Sequence, residues 1–296
     1  MARVENVAAG AFTSAAVDDR GRLFTCGRGA IEGEPAGLGY ELDPETECQL
    51  TPKRVDALSE DRVVGIALGY GFTLAVTDAG AVFPFGDGEL GHGLSTSEVL
   101  PRRIQTLAET GRRFVAVAAG DSHSLALTEE GHVYGYRYGL ANGHGQDLRT
   151  PQLVTALAGV RVLLVYARDF SSCVVTDKGE LYAWGRGSFK SSNLNLGDGV
   201  AAAQLTPKRV ETLCSVKVAA AAICYRHSLV ADADGVMWGF GERAALGFGE
   251  ADAPPGGSED EDSEDENAGW VVQPTLIPNV HISACGEYSE YSSSDI

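Results

Sequence analysis

A unit of about 50 residues recurs five times along this chain. Its plainest copy, residues 115–136, reads VAVAAGDSHSLALTEEGHVYGY: an apolar segment, an Ala-Gly bend, a second apolar segment, an acidic-glycine turn and a third segment. The glycine of that turn recurs at Gly21, Gly80, Gly131, Gly179 and Gly235. A fixed period in this range is typical of arrays and propellers, in which each unit packs against its neighbours.

Every copy predicts short strands rather than helices. The apolar segments are too short for helices, and the turn glycine supplies the positive φ that a tight hairpin needs. The third segment ends at Cys26, Phe85, Tyr136, Trp184 and Phe240. A fourth segment starts at Pro52, Pro101, Pro151, Pro207 and Pro274, and proline is confined to edge strands because it lacks an N–H. Four strands in each copy are the content of one propeller blade.

The order of these motifs resembles the regulator of chromosome condensation repeat family. Its units read roughly Ile-Ala-Ala-Gly-x-x-His-Ser-x-Ala-Leu, a turn, Val-Tyr-x-Trp-Gly, and then a loop with Gln-Leu-Gly-x-Gly. The resemblance covers nearly the whole chain, and the glycine-rich loop is recognisable in Gly86-Asp-Gly88-Glu-Leu-Gly91. It implies an all-β β-propeller, usually with seven blades.

The number of copies departs from that pattern. Five full copies are followed by Val280–Gly286, which looks like the opening strand of a partial sixth. We expect a single repeat domain over residues 1–296, forming an incomplete or atypical ring; a small closed ring, an open arc and a piece of a longer propeller all fit this count. The predicted copies cover about 3–60, 61–111, 112–159, 160–215, 216–279 and, in part, 280–296.

Two arginines interrupt the repeat. Arg168 replaces the bend glycine of the first three copies, and Arg137 replaces a glycine that follows the third strand in all the others. Residues that recur in register belong to the architecture, so those that break the pattern are better candidates for specific contacts. The candidate interaction positions are Arg137, Arg168 and the neighbouring Asp169.

The His-Ser pairs at His123 and His227 resemble parts of a hydrolase triad, but they share one repeat position and are therefore expected to be structural. His92 and His144 lie in glycine loops without further metal ligands beside them. The loops also lack the Lys and the following Ser or Thr of a phosphate-binding loop. We expect no catalytic, cofactor-binding or metal-binding residues, and no enzyme activity based on them.

An acidic insertion interrupts the fifth copy. Residues 250–268 carry many carboxylates and no cation, and they are expected to form a disordered loop. Ser258 and Ser263 match the acidic pattern favoured by casein-kinase-2-type kinases and are candidate phosphorylation sites. A solvating linker with no specific partner is the alternative interpretation.

Charge and apolar patterning narrow the range of partners. A formal net charge of −18 argues against direct nucleic-acid binding, which depends on clustered Lys and Arg. The longest apolar stretch, near Val218–Cys224, is far short of the roughly 20 residues that span a bilayer, and the N-terminus lacks a signal-peptide core. The six cysteines form no close Cys-x-x-Cys pair. These features predict reduced thiols in a cytoplasmic or nuclear protein.

Two functions follow from the repeat and its resemblance. The first is a non-enzymatic protein-protein interaction scaffold or regulatory propeller, because a rigid repeat presents variable loops. The second is a guanine-nucleotide exchange factor for a Ran-like small GTPase, the activity of the family's founding member, which acts through loops on one propeller face. The expected partner is a protein, either a small GTPase or a basic protein surface. An enzyme acting in a central channel is a third class, for which no nucleophile or metal ligand stands out.

Overall fold

Short antiparallel strands make up most of the computed structural model, which describes residues 3–43, 45–139, 141–185, 204–224, 227–242, 246 and 270–281, the last segment largely by its backbone. One short α-helix, α1 (Gln105–Ala108), and three single 3₁₀ turns, at Asp56–Leu58, Thr155–Leu157 and Glu211–Leu213, occur among them. No helix within these residues is long and apolar enough to cross a bilayer.

Each copy of the repeat forms its own antiparallel sheet, here called a blade. The first blade contains β1 (Val4–Ala9), β2 (Thr13–Asp18), β3 (Leu23–Arg28) and β6 (Cys48–Arg54), with a small hairpin of β4 (Ala30–Ile31) and β5 (Glu34–Pro35) inserted before β6. The second contains β7 (Val63–Leu68), β8 (Phe72–Thr77) and β9 (Val82–Gly86). The third contains β10 (Phe114–Ala119), β11 (His123–Thr128), β12 (Val133–Arg137) and β13 (Leu148–Leu153).

The fourth blade contains β14 (Val162–Arg168), β15 (Ser171–Thr176), β16 (Leu181–Gly185) and β17 (Gln204–Arg209), and the fifth contains β18 (Val218–Ile223), β19 (His227–Asp232), β20 (Val236–Glu242) and β21 (Trp270–His281). The predicted all-β architecture is confirmed. Val280 and His281, predicted as the start of a sixth copy, instead extend β21, where His281 pairs with Val236. The rest of that partial copy lies outside the described residues.

The second blade departs from the predicted four strands. The segment at Pro101 forms no strand beside β9; it is held by an isolated bridge between Gly86 and Glu98 and by the Ile104 N–H, which donates to the Val82 carbonyl. Pro84 and Pro101 both lack an N–H, so fewer donors are available for a continuous ladder here. In the other four blades the proline lies within the outermost strand, as expected of an edge position.

The first strands of the five blades surround a central channel. They contact one another in the order β1, β7, β10, β14 and β18. Alanine and valine side chains line most of this partly open cavity of about 230 Å³. In the described residues, no contact of comparable extent joins β18 to β1.

The second strands of the end blades are less buried than those of the middle blades. Every residue of β8, β11 and β15 is buried, whereas β2 and β19 include more exposed residues among the buried ones. A strand buried on both faces needs a blade on each side. The described parts of the first and fifth blades therefore each leave one face partly uncovered.

Neighbouring blades are joined at the acidic-glycine turns. The N–H that opens a first strand donates to the turn glycine carbonyl of the preceding blade, as from Val63 to Gly21 at 2.9 Å and from Val218 to Gly179 at 2.9 Å. The basic residue before each of these strands lies against the same glycine. These basic residues are Arg62, Arg113, Arg161 and Lys217. The turn glycine thus serves both its hairpin and the contact with the next blade.

Candidate functional site

The bends between first and second strands are tied to one another around one mouth of the channel. The Tyr70 N–H donates to the Asp121 carbonyl at 3.3 Å, and the Asp121 N–H donates to the Asp169 carbonyl at 2.9 Å. A side chain at Gly69 or Gly120 would approach the carbonyl of the next bend to 2.6 Å, which explains glycine at both positions. We call residues 10–12, 69–71, 120–122 and 168–170 the rim. Its main chain is fixed by contacts between consecutive blades.

His123 is a buried link between blades, placed just below the rim. Its Nε2 lies 2.7 Å from Ser172 Oγ, and that hydroxyl donates to the Ala141 carbonyl at 2.9 Å. Because the hydroxyl has a single proton, the imidazole Nε2–H must be the donor in the first contact. Burial, followed by the nearby Arg137 charge, lowers the pKa of His123 to about 3. A neutral imidazole that donates to a serine does not serve as its general base.

The other histidines are not brought together. His92 Nε2 lies 4.0 Å from Glu98 Oε1, and His144 Nε2 lies 3.1 Å from the Gln152 carbonyl, each within its own blade. No group of three potential metal ligands converges in the part of the chain that the structure describes.

Arg137 is buried between the second and third blades, with a side chain that is 8% exposed. Its φ of 71° is left-handed, whereas the equivalent glycines have φ between 115° and 126°. Its guanidinium carbon lies 3.8 Å from the centre of the Phe72 ring. Burial lowers the pKa of Arg137 to about 10, so the side chain stays charged at neutral pH. Because it is buried, Arg137 could affect the binding of a partner only indirectly, through these internal contacts.

The other two candidate residues lie on the rim beside Asp121. Asp169 has a left-handed φ of 48°. Burial and then the Asp121 carboxylate raise the pKa of Asp169 to about 6, while the Arg168 charge acts in the opposite direction. Burial also raises the pKa of Asp121, again against Arg168. The rim thus holds two interacting carboxyl groups from neighbouring blades, of which Asp169 is the harder to ionise, with one arginine close to both.

Four aromatic side chains flank these carboxyl groups, and the repeat pattern did not single them out. Phe12 and Tyr70 meet edge to face with ring centres 4.9 Å apart, and Tyr138 and Phe170 do so at 6.0 Å. Tyr70 is 45% exposed and Tyr138 44% exposed. Three of the four follow a bend by one or two residues, at positions where the copies differ. Aromatic residues at varying positions beside a recurring bend were the available sequence signal.

Comparison with known proteins agrees with the blade architecture and the motif order. Residues 79–127 match the model of the regulator of chromosome condensation (RCC1) repeat. The human E3 ubiquitin-protein ligase HERC2 is 37% identical over 235 residues, which cover 76% of this chain and 5% of HERC2. The chain belongs to the regulator of chromosome condensation repeat family.

Other members of this repeat family differ in size. The secretion-regulating guanine nucleotide exchange factor of Bos taurus is 33% identical over 264 residues, covering 82% of this chain and 53% of that protein. The structure of Prp20p from Saccharomyces cerevisiae, described with its binding to Gsp1p and histones, superposes with a TM-score of 0.75 at 21% identity, over 94% of this chain and 66% of Prp20p. The chain spans about half or less of the curated relatives named here.

The acidic insertion remains a sequence-based prediction in this repeat protein. The predicted disordered loop at 250–268 lies outside the described residues, as do the candidate phosphorylation sites Ser258 and Ser263. The geometry of the rim is therefore defined without them.

Proposed function

We propose that this chain is a non-enzymatic scaffold that binds a partner protein through the rim. The observation that carries the proposal is a fixed main chain with changing side chains. Hydrogen bonds join the second, third and fourth bends, while the residue after the bend position is Ala11, Tyr70, Asp121 or Asp169 from blade to blade. Rigid scaffolds with variable loops are a common basis for specific recognition.

The residues just below the rim support this division of roles. Thr73 Oγ1 donates to the Gly37 carbonyl at 2.8 Å, and Ser172 Oγ donates to the Ala141 carbonyl, so both hydroxyls are used between blades. Both residues are also fully buried, so their hydroxyls are not accessible to a substrate. The exposed variation is on the rim, where a partner can reach it.

Capture of partners by a rim variant tests this function. We expect a variant with Tyr70→Ala and Tyr138→Ala to lose specific partners that wild-type protein captures from its native cell. A control with Leu100→Ala and Leu276→Ala removes two exposed apolar side chains at the outer edge instead, at residues that are 53% and 48% exposed. Equal capture by all three proteins, with unchanged unfolding curves, would contradict a binding role for the rim.

Guanine-nucleotide exchange on a Ran-like small GTPase is the second candidate. It is supported by the 33% identity to the cattle exchange factor and by the fold shared with Prp20p, which binds Gsp1p. Release of labelled nucleotide from a panel of small GTPases separates the two functions. Specific acceleration at about micromolar protein, a concentration typical of moderate affinity, would establish exchange, and no acceleration across the panel would reject it.

A further inference from the structure

We infer that the rim carries a docking strip for a basic peptide segment of the partner protein. The strip has a central carboxyl pair and one aromatic pair at each end. The inference rests on the proposed scaffold function and specifies the chemistry of its partner. The strip consists of Phe12, Tyr70, Asp121, Asp169, Phe170 and Tyr138.

The strip is continuous across four blades. The edge-to-face pair of Phe12 and Tyr70 joins the first blade to the second. Backbone hydrogen bonds then connect Tyr70 to Asp121 and Asp121 to Asp169. Phe170 follows Asp169 in the chain and packs against Tyr138 of the third blade. The six side chains therefore occupy one surface even though they come from distant parts of the sequence.

The aromatic pairs suit the side chains of lysine and arginine. A cation over a Tyr or Phe face is attracted by the electrons of the ring, and more strongly where water is excluded. Tyr70 and Tyr138 are nearly half exposed, and each is held in place by contact with a less exposed phenylalanine. Rings fixed in this way present area to a ligand without losing much conformational entropy on binding.

The carboxyl pair selects a cation over an anion or a purely apolar segment. The Asp121 carboxylate raises the pKa of Asp169, burial raises the pKa of both groups, and Asp169 Oδ2 is buried without a hydrogen-bond partner among the described residues. Arg168 is the nearby internal cation, and it acts on both carboxyl groups. A second positive charge supplied by the partner would favour the ionised form of both carboxyl groups.

An acidic pocket extends the strip at its first-blade end. Arg28 lies 5.8 Å from the centre of the Phe12 ring and also lines a pocket of about 610 Å³. Glu41, Asp43 and Glu47 line the same pocket, so carboxylates outnumber cations there. With a net charge of −18 for the chain, this arrangement favours a basic occupant over an acidic one.

Binding of a fluorescent peptide with alternating arginine and glycine tests the strip, at about 0.15 M salt to screen long-range attraction. We expect the variant Asp121→Asn with Asp169→Asn to bind roughly tenfold more weakly, which corresponds to about 1.4 kcal/mol, and Tyr70→Ala with Tyr138→Ala to weaken binding similarly. Tyr70→Phe with Tyr138→Phe keeps the ring faces and should bind nearly as wild type. The charge-matched control, Glu109→Gln with Asp234→Asn, should also leave affinity nearly unchanged.

The outcomes separate this inference from the scaffold function. If the charge-matched control weakens binding as much as the strip variants, attraction to bulk charge explains the affinity and the strip is rejected. If the strip variants bind the peptide as tightly as wild type while native partners are still captured through the rim, the scaffold function stands and only the basic-peptide inference fails. If neither the peptide nor native partners depend on the rim, both fail. Unfolding curves matched to wild type assign each loss to binding rather than folding.

Discussion

The guanidinium carbon of Arg137 lies 3.8 Å from the centre of the Phe72 ring, so a cation of the third blade stacks on an aromatic side chain of the second. Phe72 occupies the repeat position of His123, and His123 pairs with Arg137 across β11 and β12. One departure from the repeat is thus matched by another in the preceding blade. Variation between copies is used in the contacts between blades as well as on the rim.

The contact of Arg137 with Phe72 should be measurable as a coupling energy. In a double-mutant cycle with Arg137→Met and Phe72→Leu, we expect a coupling in the free energy of unfolding of about 1–2 kcal/mol, because the pair is largely desolvated. The matched control is Arg22→Met with Phe24→Leu, where the cation lies 5.6 Å from the ring centre and is more exposed. Additive effects in the Arg137 cycle would show that the stacking contributes nothing.

Glycine at the end of β16 should be far less replaceable than glycine at an open turn. Gly185 has φ of 117°, and an added Cβ would collide with the Phe170 carbonyl and lie 2.7 Å from Ser171 Cα. Gly33 also has a positive φ, 91°, but nothing lies within 4 Å of its added Cβ. We expect Gly185→Ala to lower the free energy of unfolding by about 3 kcal/mol or more and Gly33→Ala by about 1 kcal/mol, measured by urea denaturation. Equal losses would contradict the steric argument.

The buried neutral His123 should make stability fall in acid. Its pKa in the fold is about 3, against 6.5 when unperturbed. Below pH 6.5 the unfolded chain therefore binds a proton there that the folded chain does not, and stability is lost at about 1.4 kcal/mol per pH unit as pH falls. His123→Phe introduces the residue that the second blade has at this position, Phe72, and removes the titrating imidazole. Between pH 6.5 and 5, the free energy of unfolding of wild type should fall by about 2 kcal/mol more than that of the variant. Parallel pH dependences would refute the assignment.

Asp169 should oppose folding once it ionises. Its pKa is raised to about 6 in the fold, above an unfolded value near 3.9, so its contribution to stability is full below that unfolded value and is lost as pH rises through 6. Asp169→Asn copies the protonated form and suits the left-handed φ of 48°. After allowing for partial screening by solvent, we expect the variant to be more stable than wild type by about 1 kcal/mol at pH 8 and equally stable near pH 4. Asp78→Asn, at an exposed turn, serves as the control; a gain that persists at pH 4 would contradict the electrostatic explanation.

The repeat predicts the blades well because its signals are local. Turn glycines and short apolar segments fix each hairpin without reference to distant residues, and the predicted all-β propeller architecture is confirmed. The predicted fourth strand at Pro101 is wrong, because Pro84 opposite it removes a second donor from the ladder. The sequence does not predict contacts between copies. Nothing near Arg137 in the sequence indicates that it contacts Phe72, and Asp121 meets Asp169 only because consecutive bends are adjacent in space. The aromatic pairs on the rim were missed for the same reason.

The location of the partner on the propeller is the central claim, and hydrogen–deuterium exchange of the chain with a captured partner tests it most directly. We predict that binding slows exchange in the rim, at residues 10–12, 69–71, 120–122 and 168–170. The acidic-glycine turns at the opposite ends of the strands, residues 19–21, 78–80, 129–131 and 177–179, should exchange as in the free protein. Protection confined to those turns or to the outermost strands, with the rim unchanged, would contradict the account.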